Sequence, residues 1–138
     1  MVQKEAVKMI VPYQKNYQKI VMGLLSFQPD LHDYQRLQEE LDWAVKSSDN
    51  KILLWKDQNV DQFSAVMILQ EGVDYVLVRR VSFSPSERSG HSMYQFLSAV
   101  AKQFPDRRMM GTLATQPLIT NWQRNNYYEQ QAHEEHDE

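Results

Sequence analysis

Val73-Asp74-Tyr75-Val76-Leu77-Val78-Arg79-Arg80-Val81-Ser82-Phe83, followed by Ser84-Pro85-Ser86-Glu87-Arg88-Ser89-Gly90-His91-Ser92 and then Met93 to Phe104, is the stretch that decides the fold. Its first part is rich in Val, Leu and Tyr, residues that suit a pleated, buried surface. Pro85 ends it, because proline cannot continue a hydrogen-bonded ladder. In the last part Met93, Phe96, Leu97, Val100, Ala101 and Phe104 recur at helical spacing. The stretch therefore predicts a strand, a tight loop and a helix. A loop of this kind leaves backbone N–H groups free at the helix start, and such groups favour anions.

Upstream, residues 51–56 read as a strand, Asp57-Gln58-Asn59 as a turn, and residues 62–69 as the partner strand. Glu71-Gly72 then turns the chain into the central strand, giving an antiparallel meander. Residues 8–13 predict a short first strand, kept to an edge or ended by Pro12. Asn16 is the expected cap of a first helix whose apolar stripe is Tyr17, Ile20, Val21, Leu24 and Leu25. Pro29 ends that helix, and Asp30 is the expected cap of the next, with Asp33 in its first turn. On that second helix Leu31, Tyr34, Leu37 and Leu41 are expected to face inward, with Ala44 and Val45 as further candidates.

Downstream, residues 108–114 predict a further strand. Residues 116–128 predict a last helix with Leu118, Ile119 and Trp122 on one side, and Pro117 suits its first turn. The whole is α+β, a mixed twisted sheet of about five strands with helices on both faces. Residues 1–129 form a single domain, and residues 130–138 an acidic tail expected to be disordered.

The 138 residues suit one hydrophobic core, and 42% hydrophobic against 24% charged residues is ordinary for a folded domain. With no cysteine there is no disulfide framework, thiolate metal site or cysteine nucleophile, which fits a cytoplasmic protein. The apolar run at residues 20–25 is shorter than the roughly 20 residues a bilayer requires, so no membrane association is expected. Net charge is −3 with no long basic stripe, which argues against nucleic acid as partner. His133 and His136 sit in the acidic tail, where no fixed geometry is expected, so no metal is assigned.

The strand–loop–helix unit resembles the core of the GNAT acetyltransferases, whose pattern is Val-x-Val-x-Pro, then Arg-x-x-Gly-x-Gly/Ala, then an amphipathic helix. Val81, Phe83, Pro85 and Arg88 fall on that pattern in register, while the two glycine positions are His91 and Met93. Within that superfamily the chain resembles the RibT proteins, small GNAT-type proteins encoded with riboflavin-synthesis genes in Gram-positive bacteria. That likeness rests on residues 19–27 followed by Pro29, on Leu54-Trp55-Lys56 and on Pro85-Ser86-x-Arg88. Longer GNAT members add two C-terminal strands, which the resemblance leads one to expect shortened or missing here.

The resemblance implies an acyltransferase that carries an acetyl or other acyl group from acetyl-CoA to a small-molecule or peptide amine, with CoA as the product. The loop Arg88, Ser89, Gly90, His91, Ser92 and Met93 would hold the pyrophosphate through its amides, and the Val81–Phe83 edge would pair with the pantetheine arm. His91 and Met93 add side chains where the family has glycine, so weak CoA binding is expected. Arg79 and Arg80, expected on opposite faces of the strand, are candidates for holding a substrate carboxylate or phosphate. No clear general base or acid is visible. His32, Trp122 and Tyr127 are the candidates, and Trp122 stands where the family has an acidic tyrosine. The alternative is a non-catalytic binding or regulatory protein on the same fold.

Overall fold

Apolar runs at residues 52–55 and 65–69 are too continuous for a sheet with one wet face. The computed structural model describes residues 7–59, 62–85 and 90–136, with 133–136 by backbone alone. It places both runs in the middle of a five-stranded sheet of order β1-β2-β3-β4-β5. The strands are β1 (Lys8–Pro12), β2 (Asn50–Asp57), β3 (Phe63–Glu71), β4 (Tyr75–Phe83) and β5 (Arg108–Gly111). The first four pair antiparallel, and β5 joins β4 in parallel. Helices α1 (Gln18–Leu25) and α2 (Tyr34–Lys46) precede β2, α3 (Gly90–Gln103) crosses from β4 to β5, and α4 (Gln116–His136) follows β5.

Strand alternation divides the core in two. Ile52, Leu54, Val66 and Ile68 face α1 and α2, where Val21, Leu24, Leu25, Leu37 and Leu41 meet them. Leu53, Trp55, Met67 and Leu69 face α3 and α4, joined by Phe96, Leu97, Val100, Ile119 and Trp122. The architecture is the expected mixed α+β sheet with helices on both faces. β4 lies inside it, between β3 and β5, and no strand follows β5 among the described residues. No described helix is long and apolar enough to cross a membrane.

Several local expectations are corrected. Asn16 lies within a 3₁₀ turn (Lys15–Tyr17), and α1 begins without a side-chain cap. Asp33, not Asp30, caps α2, accepting from the Gln35 N–H at 2.8 Å. Asp30 lies in a second 3₁₀ turn, Pro29–Leu31. Tyr34 and Val45 are exposed, because the face of α2 that meets the sheet is narrower than the apolar pattern. Residues 112–114 leave the strand. Helix α4 continues to His136, so residues 130–136 are helical where a disordered tail was expected; Glu, Gln and Ala are good helix formers without any packing.

Phe96 shows how α3 is fastened. Its ring stacks on Trp55 at 5.1 Å between centroids and meets Phe83 edge-on at 6.0 Å. Phe96→Ala is expected to cost about 3–5 kcal/mol, measured by urea denaturation. A loss below about 1 kcal/mol would contradict this account of the α3 face.

Candidate functional site

The site begins where β5 stops. Pairing of β4 with β5 runs from Tyr75↔Arg108 to Val78↔Gly111 and no further. The chain then folds at once into α4. Gly111 makes this possible: a Cβ there would lie 2.7 and 2.8 Å from the backbone N and Cα of Gln116. Thr115 seals the junction. Its hydroxyl donates to the Val78 carbonyl at 2.7 Å and accepts from the Thr112 N–H at 2.9 Å. Beyond Val78, among the described residues, no strand runs along this side of β4.

The Ser84 N–H donates to the Ser64 carbonyl of β3 at 2.8 Å. By antiparallel alternation Ser82 also turns its backbone groups to β3, and Val81 and Phe83 turn theirs to the open side. That side forms a cleft of about 590 Å³ whose lining includes Gln28, Asp30, Arg79, Val81, Thr112 and Thr115.

The connection between α1 and α2 crosses this cleft and is laced to β4. The Ser82 hydroxyl donates to the Leu24 carbonyl at 2.5 Å, and the Gln28 amide donates to the Val81 carbonyl at 3.2 Å. Arg80 grips Asp30 with two bonds of 3.0 and 2.8 Å.

Arg79 and Arg80 do not divide between the faces. Opposite them the register shifts between Ile68 and Leu69, a bulge that puts one extra residue into β4. Both guanidinium groups consequently reach Glu40 of α2. Arg79 binds it with two bonds of 2.7 and 3.2 Å and lies 4.0 Å above the Trp43 ring; Arg80 adds a bond of 2.9 Å.

Glu40 is 7% exposed. Burial pushes its carboxyl upward, but the hydrogen bonds from Arg79 and Arg80 outweigh burial and hold it below its ordinary value. The Arg80 hydrogen bond likewise holds Asp30 low, and Asp30 in turn raises Arg80. Asp30 and Glu40 were not singled out as site residues in the sequence, since their partners lie 50 and 40 positions away from them.

Of the residues singled out in the sequence, Val81 lies on the open edge and lines the cleft, and Phe83 shares its backbone orientation. Arg79 and Arg80 line the cleft but are engaged by carboxylates. Arg88 and Ser89 lie outside the described residues. Gly90 already belongs to α3, three positions before the start the apolar pattern suggests, so His91, Ser92 and Met93 are helical. Met93 packs against the core, and His91 lines a separate groove beside β1, α3 and α4, near Gln95. Neither side chain lines the cleft. Trp122 is buried and its indole N–H donates to Ser98 at 2.9 Å. Tyr127 is exposed against Tyr128, and His32 is exposed; neither lines the cleft.

The fold is that of the GNAT acetyltransferases. The chain aligns with aminoglycoside N-acetyltransferase AAC(6')-Iy in complex with CoA at a TM-score of 0.64 and 13% identity, covering 88% of this chain and 86% of that one. It aligns with aminoglycoside antibiotic 6'-N-acetyltransferase AAC(6')-IG from Acinetobacter haemolyticus at 0.60 and 17% identity, covering 86% and 88%. In sequence it is similar to an uncharacterized N-acetyltransferase of the lysA 3' region of Bacillus methanolicus. The two are 28% identical over 111 residues, 80% of this chain and 92% of that protein. No protein-family model matches the chain.

Glu40→Gln tests the charge cluster. Breaking a fully buried ion pair costs about 3–5 kcal/mol, and the part-exposed Arg79 lowers the expectation here to about 2 kcal/mol. The Glu40 carboxyl is depressed in the folded state. Its contribution is thus complete above the ordinary glutamate value of about 4.3 and is lost as pH falls through the lower folded value. Urea melts at a series of pH values should show the variant closing on the native protein in acid. A gap that stays constant down to the acid limit would exclude this role.

Proposed function

We propose that the protein is an acyl-CoA-dependent N-acyltransferase acting on an amine held in the cleft beyond Val78. The observation that carries this reading is the open backbone edge of β4 at Val81, inside a cleft made by the early end of β5. An extended amide-bearing chain, such as the pantetheine arm of acetyl-CoA, adds to such an edge as a further strand would. The relative named as an N-acetyltransferase and the fold neighbour with CoA support the same assignment.

In this reading Val81 and Phe83 supply the edge. Arg88, with the backbone of Ser89, Gly90, His91, Ser92 and Met93, holds the pyrophosphate at the start of α3. The amine nitrogen attacks the thioester carbonyl carbon, the carbon–sulfur bond breaks, and CoA leaves as the thiolate. Asp30 is a weak base, since Arg80 holds it low. The amine proton therefore passes to solvent, and the rate comes from orientation and from backbone N–H groups facing the developing oxyanion. A link to riboflavin synthesis rests on the RibT likeness of residues 19–29.

A second reading is a non-catalytic protein on the same fold that binds CoA or a related metabolite. The commitment of Trp122 to Ser98, where the family places its acidic tyrosine, favours it.

Calorimetric titration with CoA and acetyl-CoA, with thiol release measured across a panel of amines, separates the two. Binding with acetyl-CoA-dependent thiol release supports the transferase. Binding without release under any amine supports the second reading, and no binding at millimolar CoA removes the first. Arg88→Ala is expected to weaken CoA binding roughly tenfold through loss of a charge-assisted contact, measured in the same titration.

A further inference from the structure

A carbonyl on the open side of a strand is an acceptor that needs a donor. At Val81 the donor comes from outside the sheet: Gln28 Nε2 reaches the carbonyl at 3.2 Å across 53 positions of sequence. A carboxamide N–H is chemically the same donor that the amide of an extended ligand would offer.

The geometry separates the Gln28 side chain from its own backbone. The Gln28 N–H donates to the Leu25 carbonyl at 2.9 Å, and its carbonyl accepts from the Leu31 N–H at 3.0 Å. On either side the connection is held independently, by Ser82 at Leu24 and by Arg80 at Asp30. Among the described residues the half-buried side chain is tethered at Val81 alone, so it can swing off while the connection stays in place.

We propose that Gln28 is a placeholder for the acyl donor. In the free protein its carboxamide satisfies the Val81 carbonyl, and a pantetheine amide must displace it to bind. This rests on the acyl-CoA reading above and adds a specificity device to it. Ligands that carry an amide N–H along the edge exchange one hydrogen bond for another, while ligands without one leave Gln28 where it is. The exchange lowers affinity for the donor and keeps the strand edge satisfied between turnovers.

Gln28→Ala tests the inference, with thermal melting as the check that the connection still folds. Native protein and variant are titrated with CoA and with adenosine 3',5'-bisphosphate, which lacks the pantetheine arm. The expected result is CoA binding tightened roughly three- to tenfold in the variant, with bisphosphate binding unchanged. Unchanged or weakened CoA binding overturns the placeholder role, as does equal tightening for both ligands. If neither protein binds CoA at millimolar concentration, the acyl-CoA reading falls and the placeholder falls with it.

Discussion

A strand inside a sheet has two rows of backbone groups to satisfy, and β4 satisfies both with neighbouring strands only as far as Val78. Among the described residues, the remaining five positions of β4 have a strand on one side alone. Everything on the open side answers that deficit. Thr115 takes the last carbonyl before the gap, and Gly111 lets α4 start close enough for it to do so. Gln28 takes the Val81 carbonyl, and the cleft is the space left between. A longer β5 would close the sheet and remove the cleft.

The bulge near Arg79 adds a second constraint. Without it, Arg79 and Arg80 would lie on opposite faces, and one guanidinium would enter the apolar layer beneath α3. With it, both meet Glu40, and β4 returns to its normal alternation in time for Val81 and Phe83 to pack into that layer. A buried carboxylate is unfavourable alone and tolerable with two guanidinium partners. The cluster therefore fixes α2 against β4 and, through Arg80 and Asp30, fixes the connection over the cleft.

Periodicity made most of the fold legible. The hairpin of residues 51–69 followed from its apolar runs and turn residues, and Phe96, Leu97 and Val100 are fully buried as their spacing required. Helix limits were less legible. Asp30 and Asp33 are chemically equivalent as caps; Asp33 caps α2, while Asp30 is engaged by Arg80, which comes from a distant strand. Gly90, His91 and Ser92 of α3 contribute little apolar surface, so a pattern of apolar positions could not find them. The candidate site was the least legible part. Alternation predicts the faces of Arg79 and Arg80 only for a regular strand, and nothing in the local sequence marks the bulge. The family pattern places Met93 in a loop, whereas the structure places it on a helix and packs it against the core.

The placement of the tryptophans has a consequence of its own. Trp43 lies under the Arg79 guanidinium on the α1–α2 side of the sheet, whereas Trp55 and Trp122 belong to the opposite layer. The chain thus carries native fluorophores on both sides of one sheet. The emission of Trp43 is expected to respond to the cation above it, and that cation shares Glu40 with the residue that anchors the connection. Trp55 and Trp122 sit in a dry layer shielded from those charges. Light from the first reports on the cleft's roof, and light from the other two reports on whether the body of the protein is intact.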